Sequence, residues 1–250
     1  MQVLSEKQFA CTRSKDTCAV FGSGWSINTI TEPQWEFIKT QCDTITFNWF
    51  CIGTPFVPKY YCINAQGIRQ KEVGSKYDHK NFLEKLKCQY AVVLTNRLKK
   101  NNDIVFHYDE HLDLIPMEGV VIPQGGYKET NADLITQPLF DGAYNGISSI
   151  AFVCHLAYWL GYSKIIFFGV DLYDQAYYWD NGQKWDFLEF DKSTSGWNGG
   201  REHLHASAPS TARLMELILP LTPRTKWMVH NPKSLLTKIL PVWDINDTSK

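Results

Sequence analysis

Short apolar runs alternate with polar and helical stretches along the chain, and this pattern predicts an α/β fold. Each run is four to six residues long and is followed by glycine or a polar residue, as expected of buried strands. Strands without a polar face are typical of a parallel sheet that is covered by helices on both sides. The predicted strands are Cys18–Phe21, Thr44–Phe47, Tyr60–Ile63, Tyr90–Thr95, Gly119–Pro123, Lys164–Phe168 and Lys226–His230.

Helix signals fall between these strands. Thr31 is placed as an N-cap, with proline in the first turn and Gln34 in position to close a capping box. Ile147–Leu160 is almost wholly apolar, begins at two serines and ends before Gly161, which predicts a buried helix with a glycine stop. Two more helices are predicted at Pro209–Leu219 and Pro232–Leu240.

Residues 172–207 differ from the rest of the chain. Six tyrosines and tryptophans are mixed there with glycines and charged residues. The segment is too long for an ordinary connection, so we expect a functional loop or lid. The remaining pattern shows no repeat and no linker, which predicts a single domain over residues 1–250 with this lid as an insertion.

Composition narrows the class of protein. With 44% hydrophobic and 20% charged residues, the 250-residue chain is neither disordered nor fibrous. A net charge of −1 gives no basic excess, which argues against a nucleic-acid binder. We find no apolar run of membrane-spanning length, no apolar leader, and seven scattered cysteines without a CxxC pair. These features favour a protein of the reducing cytoplasm.

Small or polar residues follow several strands and predict one ligand crevice. Gly22-Ser23-Gly24, Asn48, Asn64 and Asp171 each stand at a strand end, and in an open parallel sheet ligands bind beyond the carboxyl ends. A turn of the form GSGWS can offer backbone N–H groups to a phosphate. It is not the dinucleotide fingerprint, because Ile27 occupies the position of the last glycine.

The lid contributes candidates for catalysis. Tyr173 and Tyr177 follow Asp171 closely and are suited to donate hydrogen bonds to a leaving phosphate. Histidine is the usual general base near neutral pH, and His203 and His205 both lie in the lid before a predicted helix. Chemistry alone does not choose between them. His155, inside the apolar helix, is expected to be structural.

Several motifs together resemble glycosyltransferase family 42, the small bacterial sialyltransferases of lipooligosaccharide synthesis. The resemblance covers residues 17–240 and is most specific in LGYSKIIFFGVDLY, an element also similar to broader Rossmann-like sugar transferase families. The motifs in chain order are GSGWSIN, TFNWF, SSIAFVCHLAYWLGYSKIIFFGVDLY, a later HxS before a helix, and HNPKSLL.

The resemblance implies a modified Rossmann domain of the glycosyltransferase A type, with a lid that closes over CMP-sialic acid. It implies an inverting reaction that uses no metal and no cofactor. The positions that match the family's functional residues are Gly22, Ser23, Gly24 and Ser26 in the nucleotide-binding turn, Asn48 and Asn64 as nucleotide or sugar contacts, Ser148 and Ser149 at the start of the central helix, Asp171 at the ribose, Tyr173 and Tyr177 at the leaving phosphate, and His205 as the base, with Tyr178 and His203 as alternates.

Two departures from the family pattern stand out. The family has Asn where this chain has Ser23, and an active-site arginine where this chain reads Gly142-Ala143-Tyr144-Asn145-Gly146. Arg201 in the lid is a candidate substitute for that arginine.

The resulting hypothesis is a sialyltransferase-like enzyme that moves a sugar from a CMP-sugar donor to a glycan or glycolipid acceptor. Peripheral association with the inner membrane and self-association stay open. The alternatives are a nucleotide-dependent pyrophosphokinase of the same fold and a non-catalytic nucleotide- or glycan-binding protein.

Overall fold

A nine-stranded sheet forms the centre of the computed structural model. The structure describes residues 1–47, 50, 56–64, 86–95, 97–100, 103–106, 115, 117–126, 129–144, 149–172 and 208–246.

The described strands are β1 Gln2–Val3, β2 Thr17–Phe21, β3 Cys42–Phe47, β4 Tyr60–Asn64, β5 Tyr90–Thr95, β6 Arg97–Lys100, β7 Asp103–Phe106, β8 Glu118–Gly126, β9 Ala143–Tyr144, β10 Lys164–Phe168 and β11 Lys226–Val229. The nine-stranded sheet has the order β1-β8-β5-β4-β3-β2-β10-β11, with β9 beside β8, and its strands run parallel in every pair. β6 and β7 form a separate two-stranded sheet. The predicted α/β fold with a mostly parallel sheet is therefore confirmed.

Helices cover both faces of the sheet. The α-helices are α1 Glu6–Ala10, α2 Glu32–Gln41, α3 Ser149–Trp159 and α4 Ala208–Ile218, and 3₁₀ turns occupy Trp25–Thr29, Glu129–Thr136, Leu139–Asp141, Leu219–Leu221 and Leu235–Lys238. The predicted capping box of α2 is present, with the Thr31 backbone N–H donating to Gln34 Oε1 over 2.9 Å. Gly161 follows α3 at φ +78°, which confirms it as the stop.

Alternate strand residues point to opposite faces of the sheet and belong to two apolar clusters, one on each face. One cluster joins Val20 and Ile45 to the buried side of α3, which includes Phe152 and Leu156. The other joins Phe21, Phe168 and Tyr61 to Ile38 of α2. Strands that are buried on both faces explain the unbroken apolar runs in the sequence.

Some elements differ from the prediction. The helix expected at Pro232–Leu240 was wrong in extent, since only Leu235–Lys238 is helical and its geometry is 3₁₀. Ser234 caps that turn by accepting from the Leu236 N–H over 3.2 Å. The short β1 and α1 and the antiparallel β6–β7 hairpin carried too little apolar pattern to be predicted.

Other predictions can be compared only with the described part of the chain. Of the predicted lid, residue 172 is described and residues 173–207 lie outside the described residues. None of the six cysteines in the described ranges forms a disulfide. No helix within those ranges has the length and apolar character needed to cross a bilayer.

Candidate functional site

The carboxyl ends of β2 and β10 meet at a turn built from glycines. The Gly22 N–H donates to the Phe168 carbonyl and the Gly24 N–H to the Gly169 carbonyl, each over 2.8 Å. A Cβ at Gly22 would lie 2.4 Å from the Gly169 carbonyl oxygen, closer than real contacts permit. Gly169 itself has φ +62°. Glycine at these positions therefore lets the two strand ends touch through their backbones.

Asp171 fixes this turn from the side of β10. Its Oδ2 accepts from the Ser26 backbone N–H over 2.9 Å, and its Oδ1 accepts from the Ser26 hydroxyl. Asn231, just after β11, donates from Nδ2 to Asp171 Oδ1 over 2.8 Å. The carboxylate is 4% exposed. Buried carboxylates need such donors, and here the donors belong to the turn and to the loop after β11.

Two backbone donors of the turn have no partner among the described residues. The N–H groups of Ser23 and Trp25 make no hydrogen bond within the described part of the chain, and both residues are partly exposed. Neighbouring backbone N–H groups in a tight turn form a concave site that favours anions. The arrangement is therefore suited to hold the oxygens of a phosphate at the carboxyl edge of the sheet.

The loop after β11 borders the site, and the sequence pattern predicted no role for it. The His230 ring stacks on Phe168 at 5.0 Å between centroids, and its Nε2 lies 3.2 Å from Gln34 Oε1. Burial lowers the pKa of His230, while the charge of Asp171 opposes that shift. Ser234 Oγ donates to the Val170 carbonyl over 2.8 Å. The HNPKSLL motif thus holds the end of β10 in place. Its position at the end of the predicted strand Lys226–His230 was the sequence feature that could have indicated a place at the site.

Two residues singled out in the sequence, Ser149 and His155, lie on α3. Ser149 is the first residue of α3 and is partly exposed. His155 is buried, as its place in the apolar helix predicted, and accepts from the Tyr144 N–H at Nδ1 over 2.9 Å. Its Nε2 lies 3.0 Å from the Gln137 carbonyl, which identifies the tautomer as Nε2–H. Burial lowers the His155 pKa to about 4, so the ring is neutral and structural.

The structure brings together five of the predicted site residues: Gly22, Ser23, Gly24, Ser26 and Asp171. The backbone of Asn64 ends β4, two strands away from β2, and Ser149 begins α3. The remaining predicted or alternate residues lie outside the described residues: Asn48, Ser148, Tyr173, Tyr177, Tyr178, Arg201, His203 and His205.

A second polar cluster lies at the opposite, amino edge of the sheet. Asp43 is 3% exposed and accepts from Lys59 Nζ over 2.8 Å, from Ser14 and from the Tyr162 hydroxyl over 2.9 Å. Burial acts to raise the Asp43 pKa, but these donors outweigh it and hold the pKa below its ordinary value. A groove of about 740 Å³ runs from this cluster along α2. The residues that line the groove include none of the predicted site residues.

Within the described ranges, no group of three or more His, Cys, Asp and Glu residues is arranged to hold a metal ion. The expectation of a metal-free reaction stays a prediction.

The comparisons with known proteins show a likeness of structure. No protein-family model matches the chain, and no curated protein matches it by sequence. The monofunctional alpha-2,3-sialyltransferase Cst-I from Campylobacter jejuni aligns over 97% of this chain and 82% of its own, with a TM-score of 0.51 and 12% identity. The chain therefore has a glycosyltransferase-type α/β fold.

Two further structures align less closely. The sialyltransferase CstII from Campylobacter jejuni, in complex with the substrate analogue CMP-3FNeuAc, aligns over 90% of this chain and 84% of its own, with a TM-score of 0.47 and 14% identity. The MAf glycosyltransferase from Magnetospirillum magneticum AMB-1 aligns over 87% of this chain and 32% of its own, with a TM-score of 0.49 and 15% identity. The assignment of fold rests on the Cst-I likeness alone.

Proposed function

We propose that this protein is a glycosyltransferase that takes a CMP-sugar donor and that the Gly22–Ser26 turn holds the donor's phosphate. The observation that carries the proposal is the construction of the turn. Close-packed glycines and the buried Asp171 fix its backbone. The N–H groups of Ser23 and Trp25 have no partner in the described part of the chain and lie at the edge where such sheets bind ligands.

Three features support the same reaction class. The fold is shared with a sialyltransferase. The motifs of the chain resemble those of glycosyltransferase family 42 in the same order. The turn itself suits the diester phosphate of a CMP-sugar, because uncharged N–H donors stabilise a single negative charge without a metal ion. Fold alone does not determine function, so the function is proposed from the turn and the motifs together with the fold.

The proposed mechanism is a direct displacement at the anomeric carbon. His205 takes the proton of an acceptor hydroxyl, and that oxygen attacks the anomeric carbon from the face opposite the phosphate. The bond between the anomeric carbon and the phosphate oxygen breaks, and CMP leaves as the configuration inverts. General base catalysis of this kind contributes ~10²–10⁴-fold.

Stabilisation of the leaving group is assigned to the lid. Tyr173 and Tyr177 would donate hydrogen bonds to the phosphate oxygens as charge develops there, which favours the transition state over the bound donor. These roles follow from the family resemblance of the matching positions. The proposed sugar is sialic acid or a similar acidic sugar, and Arg201 is the proposed substitute for the family arginine in recognition of its carboxylate.

A nucleotide panel followed by a transfer assay tests the function. Thermal unfolding is measured with CMP, CDP, UDP, GDP and ATP, with and without EDTA, because a ligand that binds the folded state raises the midpoint. CMP is expected to give the largest rise, unchanged by EDTA. CMP-sialic acid and an oligosaccharide acceptor are then expected to yield a sialylated product in mass spectrometry.

Matched variants assign the base and separate the alternatives. His205→Ala is expected to lose most turnover while it keeps CMP affinity, and His203→Ala is the control. Stabilisation by ATP alone, abolished by EDTA, would favour a pyrophosphokinase. Binding of CMP without transfer to any acceptor would favour a non-catalytic binding protein.

A further inference from the structure

Trp25 is placed differently from the other described tryptophans. Trp35 stacks on Phe21 at 5.9 Å between centroids, and the Trp227 indole N–H donates to Thr222 Oγ1 over 2.9 Å. Trp25 belongs to neither apolar cluster, and its indole makes no hydrogen bond or ring contact within the described residues. A large indole usually finds a packing partner and a partner for its N–H. Among the described residues Trp25 has neither partner, which makes its partly exposed indole a candidate for contact with a ligand.

The geometry of the 3₁₀ turn places this indole on the open side of the phosphate turn. Ser26 faces Asp171, and the side chain of Ile27 lies against Gly169. In a 3₁₀ turn the side chains three residues apart eclipse one another, so Trp25 shares its side of the turn with Asn28, which is exposed. The indole therefore leaves the turn away from the strand ends and remains partly exposed.

The backbone of the same residue connects the indole to the phosphate site. The Trp25 N–H is one of the two unpartnered donors of the turn within the described part of the chain. A phosphate on this donor lies one side-chain length from the indole, and a nucleobase lies about one ribose from its phosphate. A nucleobase offers the flat π-face on which an indole stacks well.

We propose that the Trp25 indole stacks on the nucleobase of the nucleotide donor and thereby selects a nucleotide over other phosphates. This inference rests on the proposed function, since it places the donor's phosphate at the same turn. It assigns a role to a residue of the GSGWSIN motif for which the sequence analysis predicted none. Trp25 would then contact both ends of the nucleotide, the phosphate through its backbone N–H and the base through its side chain.

Calorimetric titrations of two ligands test this contact. CMP carries phosphate, ribose and base, whereas ribose 5-phosphate lacks the base. In Trp25→Leu, CMP affinity is expected to fall by about tenfold or more, in the range found when a stacking aromatic is removed. Affinity for ribose 5-phosphate is expected to stay within twofold of the original protein. Trp25→Phe retains a ring and is expected to lose less CMP affinity than Trp25→Leu.

Fluorescence supplies a second readout in the same proteins. CMP is expected to quench part of the tryptophan emission in the original protein and not in Trp25→Phe. Trp159→Phe is the matched control and should retain the quenching, because Trp159 is partly buried and stacks on Phe9 of the apolar core at 6.1 Å between centroids. Thermal unfolding of each variant shows whether the fold is kept, and Trp25→Phe serves if the leucine variant unfolds.

The outcomes separate the two levels of the proposal. If the original protein binds CMP and Trp25→Leu binds it equally well, the stacking inference is overturned and the proposed function stands. If Trp25→Leu loses CMP and ribose 5-phosphate in equal measure, the indole supports the turn rather than the base, which also overturns it. If the original protein binds no CMP, both the inference and the proposed donor are wrong.

Discussion

Asp171 holds Ser26 at two points, with one carboxylate oxygen on the backbone N–H at 2.9 Å and the other on the hydroxyl. The two residues are 145 positions apart in the sequence. Their contact ties the turn after β2 to the end of β10, so the conformation of the phosphate turn depends on the partner strand. Asn231 adds a third donor to the same carboxylate.

Replacement of Asp171 by Asn is expected to weaken both the fold and the nucleotide site. The amide presents N–H donors where Ser26 and Asn231 already donate, so at least one buried donor loses its acceptor, at a cost of about 2 kcal/mol. Urea unfolding measures the stability change, and CMP titration measures the site. The exposed Asp133→Asn is the control. Unchanged stability and affinity in Asp171→Asn would show that the contact does not fix the turn.

Replacement of Gly24 by Ala is expected to displace the turn. The new Cβ would lie 2.5 Å from Asp171 Oδ2 and 2.8 Å from the Gly169 carbonyl oxygen, so the turn must move away from both. Overpacking of this kind costs about 1–3 kcal/mol. Backbone amide exchange should rise at Gly24 and Ser26, with Ala212→Gly on α4 as a control for a global loss of stability. Normal protection in Gly24→Ala would contradict the close packing described here.

The protein is expected to lose stability in mild acid through His155. Its pKa is about 4 in the folded state against an ordinary value of 6.5, because burial disfavours the charged ring. As pH falls below 6.5 the unfolded chain takes the proton first, so stability is lost progressively until the pH is below about 4. The shift corresponds to about 3 kcal/mol.

His155→Gln isolates this effect, since an amide can accept from Tyr144 and donate to Gln137 without titrating. Urea unfolding at several pH values between 7 and 4 measures both proteins. The difference in their pH slopes should equal the histidine contribution, because other groups titrate in both. Parallel slopes would mean that His155 does not titrate on unfolding as described.

Removal of the Lys59 charge is expected to destabilise the amino edge of the sheet. Lys59→Met leaves the buried Asp43 carboxylate without its cation, at a cost of about 3 kcal/mol at neutral pH. The Asp43 pKa, now held low, should rise. In the original protein the stability from Asp43 is present above its unfolded pKa and is lost as pH falls through the lowered folded pKa. In the variant the folded pKa is raised towards the unfolded value or above it, so less stability is lost in acid, and the deficit of the variant relative to the original protein should shrink as pH falls.

Chemical unfolding at pH 7 and pH 4.5 measures this change. The exposed Lys39→Met is the matched control on the same side of the sheet. Equal stability of both variants would show that the Asp43–Lys59 pair adds nothing beyond the other donors to Asp43.

Local pattern was enough to predict much of the fold. The strands around Val20, Ile45 and Ile166 were visible because they are apolar on both faces, and the Thr31 capping box and the Gly161 stop depend on residues next to them in sequence. The edge strand Gln2–Val3 is exposed and short, so it left no such pattern.

The site could be predicted only in part, because some of its contacts join residues that are far apart in the sequence. The strand ends identified Gly22 and Asp171, since ligands bind there in parallel sheets. The use of Asp171 as the support of Ser26 and Asn231 depends on contacts between distant parts of the chain. The stacking of His230 on Phe168 likewise requires the register of β10 and β11.

A structure of the protein crystallised with CMP in the presence of EDTA is the decisive test of the proposed donor site. We expect the phosphate within hydrogen-bond distance, about 2.7–3.2 Å, of the backbone nitrogens of Ser23 and Trp25. We also expect the Asp171–Ser26 contact to be retained. CMP bound elsewhere, for example in the groove along α2, with the Gly22–Ser26 turn empty would contradict the proposed donor site.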